Sequence, residues 1–194
     1  MYDWSYSGGR FDVALRPNGV FYCSKYPTKA NWRVADNKLT VEFGKYGNYE
    51  FTLPAGGDGS IDGRALDNQA NWRKLTHKRN FNPTETLLLG EHGYGSVWNF
   101  EYAKGSFEIE FRCDAYNHFV CKTYPSHSHW LNTDDGLVQI FWGKYGKSRL
   151  VKLVNAFILA FIRQVYKQLS HLPIYIYSKC PHIRTFILIL HTYA

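Results

Sequence analysis

Apolar and polar residues alternate with a period of two in four stretches of the chain. Phe11, Val13 and Leu15 share one face of the first, and Leu39, Val41 and Phe43 one face of the second. Phe107, Ile109 and Phe111, then Val138, Ile140 and Trp142, repeat the pattern about a hundred residues later. Strict alternation puts successive side chains on opposite sides of an extended backbone, so each stretch predicts a half-buried β-strand. Pro17-Asn18-Gly19 and Asp134-Asp135-Gly136 read as hairpin-type turns, where Gly or Asn accepts positive φ. The GKYG at 44–47 and again at 143–146 reads as a further turn, with Tyr49 to Leu53 a strand after it.

These stretches belong to an internal repeat, Phe11–Gly47 lying over Phe107–Gly146. Arg16 falls with Arg112, Phe21 with Phe119, Cys23 with Cys121, Tyr26-Pro27 with Tyr124-Pro125 and Trp32 with Trp130. Upstream, Trp4 and Gly9 match Trp98 and Gly105. A complete unit runs to about seventy-five residues and roughly six strands, closing with the strand that carries Trp72. The expected fold is all-β: two homologous antiparallel β-meander units, barrel-like or sandwich, over 1–80 and 81–147, the second incomplete.

After Gly146 the similarity fades. Residues 148–194 contain no Gly, Trp, Asp or Glu, and seven isoleucines against three in all that precedes them. We read this segment as an atypical apolar tail outside the evolved fold, with the character of translated non-coding sequence, and both ends of the chain as truncated. Taken instead as a genuine element, it offers an apolar helix over Leu150–Leu169 and a strand over Ile183–Leu190. Leu153 to Ile162 is too short an apolar run to cross a bilayer as a helix.

Composition sharpens the class. Of 194 residues, 45% are apolar and 18% aromatic, with 16 glycines and one methionine, which suits strands and turns. The formal charge of +7 resides mostly in the tail. Six of the 23 Lys and Arg lie in 148–194, so residues 1–147 carry 17 basic against all 16 acidic side chains. A basic footprint over the folded body, the mark of a nucleic-acid binder, is therefore missing. Four cysteines form no CxxC pair and MYDWSYSGG has no signal-peptide profile, so a reducing, cytoplasmic setting is expected.

Candidate chemistry concentrates in FVCKTYPSHSHW, Phe119 to Trp130. His127 and His129 share a strand face at i and i+2 and could chelate together, with His118, His92 and Cys121 as further donors. Against a metal site, these histidines align with Lys29, Asn31 and Val20, and Cys121 has a twin in Cys23 where no such histidines occur. No metal and no cofactor are expected. Asp134 and Asp135 are poorly placed for acid/base work, and no Ser or Cys stands in the context of an activated nucleophile.

The shared aromatics Tyr26, Trp32, Tyr124 and Trp130 either fill two equivalent cores or line a concave apolar site with polar tips. ANWR occurs at 30–33 and 70–73, and its Trp-Arg pair permits a guanidinium to stack on indole. The glycine entry from Gly95 to Trp98, the hairpin-linked strands and the late Trp72-Arg73 resemble the lipocalin-like, or calycin, β-barrel proteins, with two residues rather than one between glycine and tryptophan. That resemblance implies an antiparallel barrel enclosing a small apolar ligand. The expected function is a non-catalytic binding module for a small ligand or protein partner, with Tyr26, Trp32, Tyr124, Trp130, His127 and His129 as ligand-facing residues. The alternative is a His-dependent metal-binding enzyme on the second unit.

Overall fold

A computed structural model describes residues 1–102, 105–133, 136–154, 157–161 and 175–178. They are mostly strand, with one short helix, and divide into two compact units: Met1–Phe81 with Asp114–Tyr116, and Asn82–Cys113 with Asn117–Ala194.

The first unit is a meander of eight antiparallel strands: β1 (Tyr2–Tyr6), β2 (Gly9–Leu15), β3 (Phe21–Tyr22), β4 (Asn31–Ala35), β5 (Lys38–Glu42), β6 (Asn48–Thr52), β7 (Ser60–Ala65) and β8 (Trp72–His77). The sheet order β3-β2-β1-β8-β7-β6-β5-β4 follows the chain without a crossover, because β8 returns to pair with β1, Trp4 opposite Leu75. The two ends of the sheet meet through the Val20–Asn31 bridge and through Phe21 N–H to the Ala30 carbonyl (3.1 Å) and Trp32 N–H to the Gly19 carbonyl (2.8 Å). A nearly closed barrel results, with few exposed strand edges. Eight strands rather than six fit into about eighty residues because β3 has only two residues and the hairpin loops are short. Asp36 and Asn37, at φ 50° and 57°, make the two-residue loop between β4 and β5 that matches strand twist.

Alternation sends Trp4, Val13, Phe21, Leu39, Val41, Phe43, Tyr49, Phe51 and Leu75 inward, and all are buried. At roughly 25 cal/mol per Å² of apolar surface removed from water, this cluster is the main source of the unit's stability. GKYG is a 3-10 turn in each unit, Gly44–Tyr46 and Gly143–Tyr145. Its first glycine has positive φ, and an added Cβ would lie 2.7 Å from the Lys29 carbonyl oxygen at Gly44 and 2.6 Å from that of His127 at Gly143. Only glycine fits both demands.

The second unit opens with a helix that the alternation pattern does not predict, α1 (Pro83–Leu89). Asn82 Oδ1 accepts from Glu85 N–H (2.8 Å) and Glu85 Oε2 from Asn82 N–H (2.7 Å), a complete capping box with proline in the first turn. The strands follow: β9 (Gly95–Tyr102), β10 (Gly105–Arg112), β11 (Phe119–Val120), β12 (His129–Asn132), β13 (Val138–Phe141), β14 (Lys147–Val154), β15 (Phe157–Phe161) and β16 (Tyr175–Ser178). They form sheets β11-β10-β9-β16 and β12-β13-β14-β15, bridged at His118–His129. Trp98, Phe111, Phe119, Trp130, Ile140 and Trp142 are buried there.

Residues 147–154 and 157–161 are strand, not part of the helix expected over Leu150–Leu169. β14 pairs with β13, Ile140 opposite Ser148, as β6 pairs with β5, Val41 opposite Tyr49. The ladder hydrogen bonds that GKYG aims at the following residues do not depend on their side chains, so this strand can continue where sequence similarity has stopped. The strand expected over Ile183–Leu190 lies outside the described residues, as do Asp134 and Asp135.

Candidate functional site: an aromatic cavity with one guanidinium

A cavity of about 250 Å³ opens into the first unit. Its floor is Trp4 and Phe43, both nearly fully buried, with Tyr49 and Arg73. Phe11, Tyr6 and Tyr26 form half-buried walls, and Tyr46 stands exposed at the mouth. The rings hold one another edge to face. Trp4 meets Tyr49 at 5.0 Å and 85°, Phe11 meets Tyr26 at 5.0 Å and 77°, and Tyr26 meets Tyr46 at 5.4 Å and 60°. Such offsets present positive ring edges to negative faces and fix the walls.

Arg73 is the one charged side chain on this surface, and it is only 8% exposed. Its Cζ lies 4.8 Å from the ring centre of Tyr49 and 5.5 Å from that of Tyr6. Nη1 donates to Asn71 Oδ1 and to the Trp72 carbonyl (2.7 Å), and Nη2 to the Tyr49 hydroxyl at 3.4 Å. The Tyr49 hydroxyl in turn donates to the Tyr46 carbonyl at 2.5 Å. Among the described residues no carboxylate pairs with Arg73. Lys25 and Lys45 hang over Tyr26 and Tyr46 at 5.5 and 5.3 Å. The hydrogen bond that the Tyr6 hydroxyl donates to Tyr26 and the proximity of that second phenol push the Tyr6 hydroxyl above its ordinary range, and Arg73 opposes the shift.

The stacking expected for ANWR takes a different form. Arg73 lies over tyrosines, while its neighbour Trp72 is 48% exposed on the outer face. Consecutive strand residues point to opposite sides, so the two cannot share a surface. The first ANWR has the reverse phase, with Arg33 exposed and Trp32 turned toward the core.

The residues singled out from sequence separate. Tyr26 lines the cavity. Trp32 packs against the core, its indole N–H donating to the Arg16 carbonyl at 2.9 Å. Trp130 is buried, its indole N–H donating to the Arg112 carbonyl at 3.0 Å. Tyr124 lies edge-on to Phe107 at 5.0 Å. His127 and His129 are exposed, His129 stacking on Phe141 at 4.6 Å and His127 lying 6.1 Å from His118 between ring centres. Burial, then the charges of His127 and His118, lower the His129 pKa. Among the described residues no three His, Cys, Asp or Glu side chains are placed to hold a metal ion. Cys23, Cys113 and Cys121 are buried.

Trp4, Tyr6, Phe11, Phe43, Tyr46, Tyr49 and Arg73 complete the site without having been marked as ligand-facing. The alternation had placed Phe11 and Phe43 on an inner face, and counting two residues on from Trp4 and two back from Leu75 would have done the same for Tyr6 and Arg73. No family model matches the chain, and neither the curated proteins nor the solved structures contain a match. No helix among the described residues is long and apolar enough to cross a membrane.

Proposed function

We propose that the protein is a non-catalytic binding module whose first unit takes a small aromatic ligand into the cavity floored by Trp4 and Phe43. The observation that carries this reading is the cavity: about 250 Å³ walled by aromatic rings. An apolar void of roughly 150 Å³ already holds benzene, so one or two fused rings fit. Concave, mostly apolar surfaces with a few polar groups are the usual form of a small-molecule site. The barrel-like sheet agrees with what the lipocalin-like resemblance implies. We read the two units as copies of one ancestral meander. The absence of a CxxC pair and the near-neutral body favour a reducing compartment and a partner other than nucleic acid.

The second unit carries Trp142 where the first has Phe43. Phe43→Trp in the first unit therefore brings a tolerated residue into the cavity and fills part of it. Titration with 1-naphthylmethanol, followed by tryptophan fluorescence, is expected to saturate in the native chain and to weaken at least tenfold in Phe43→Trp. Equal binding by both chains would place the ligand elsewhere and defeat the proposal.

A further inference from the structure

From the state of Arg73 we infer that the ligand of this cavity is a small aromatic carboxylate, its carboxylate held by the Nε–Nη2 edge of the guanidinium and its ring by Trp4, Phe11 and Phe43. This inference rests on the reading of the cavity as a binding site.

A guanidinium has five N–H donors. The bonds to Asn71 Oδ1, the Trp72 carbonyl and the Tyr49 hydroxyl use three of them, two on Nη1 and one on Nη2. Nε–H makes no bond and Nη2 has one N–H to spare, and these two nitrogens form one edge of the fork. That edge matches the two oxygens of a carboxylate. Removing a cation from water is costly unless an anion or a full set of acceptors replaces the water, and Arg73 is only 8% exposed with no carboxylate against it among the described residues. The ring faces of Tyr6 and Tyr49 compensate part of that cost.

The surroundings select the sign of the ligand. No Asp or Glu lines the cavity, and the two lysines over its outer tyrosines take part in no ion pair among the described residues. The potential from mouth to floor is therefore positive and favours entry of an anion. The bonds from Nη1 to Asn71 and Trp72 hold the guanidinium in place before the ligand arrives, so little ordering is left for binding.

The test compares 1-naphthoate with uncharged 1-naphthylmethanol by calorimetric titration of the full chain, then repeats both on Arg73→Met and Arg73→Lys. A charge-assisted bidentate pair predicts naphthoate about 10- to 100-fold tighter than the alcohol in the native chain. Arg73→Met should erase that preference, so that the two compounds bind alike, and Arg73→Lys should keep a fraction of it. The native-chain comparison stands even where a variant folds poorly. Naphthoate no tighter than the alcohol, or a preference that survives Arg73→Met, overturns the anion assignment and leaves the binding site standing. Absence of binding by either compound overturns both.

Discussion

Arg73 Cζ stands 4.8 Å from the centre of the Tyr49 ring, and the Tyr49 hydroxyl accepts from Arg73 Nη2 at 3.4 Å while donating to the Tyr46 carbonyl at 2.5 Å. One phenol thus joins the turn at the cavity mouth to the cation on its floor. Tyr49→Phe keeps the ring and removes both bonds. We expect a loss of about 1 kcal/mol, the net worth of a typical buried hydrogen bond, in urea denaturation. An unchanged midpoint would mean that the hydroxyl holds nothing.

Trp32 and Trp130 make the same bond, to the Arg16 and Arg112 carbonyls, in different degrees of burial. Trp130 is 2% exposed, so Trp130→Ala should cost about 3–5 kcal/mol, as for a large buried aromatic. Trp32 is half-buried, and Trp32→Ala should cost distinctly less. Chemical denaturation of the two variants checks the order, and the reverse order would contradict the packing described.

Acid should weaken the first unit through Asp58. Its carboxylate accepts from the Ser60 hydroxyl (2.6 Å) and amide (3.0 Å) and faces Lys74 Nζ at 3.3 Å. The Ser60 bonds first, and Lys74 after them, bring its pKa from 3.8 to about 2. Because the folded value lies below the unfolded one, the contribution is complete above about pH 4 and disappears as pH falls toward 2. Asp58→Asn should be less stable than the native chain at neutral pH, with the gap closing over that window in thermal melts at stepped pH. A gap independent of pH would sink the assignment.

The histidines should not retain zinc. His127, His129 and His118 gather on one side of the second unit, yet their rings stack on Phe141 or lie about 6 Å apart. Their proximity disfavours a second positive charge rather than converging on one point. Dialysed protein should carry well under one zinc per chain by elemental analysis. Stoichiometric metal that is lost in the double variant His127→Ala, His129→Ala would restore the metalloenzyme reading.

Strand phase was legible in the sequence and site membership was not, for a definite reason. Phe11, Val13, Leu39 and Val41 follow from period two, which is a local property of the chain. The cavity depends on closure of the sheet, which brings β8 against β1 and so sets Arg73 beside Tyr6, 67 positions away in the chain. ANWR misled because identical tetrapeptides at 30–33 and 70–73 enter their strands in opposite phase, and phase, not composition, decides whether Arg faces solvent or core. The helix α1 was readable in Asn82-Pro83-Thr84-Glu85, a capping box with its proline, which lies between the alternating stretches and has no strand period of its own.

The most direct test of a ligand cavity in the first unit is residue-resolved. Nuclear magnetic resonance of the full chain, observing the indole and guanidinium N–H signals while 1-naphthylmethanol and then 1-naphthoate are added, reports on Trp4, which floors the cavity, and on Trp72, Trp98, Trp130 and Trp142, which do not line it. The account predicts saturable shifts centred on Trp4 with both compounds, and a large downfield shift of Arg73 Nε–H with naphthoate alone. Shifts centred on the tryptophans of the second unit, or none at Trp4 when binding is saturated, would contradict it.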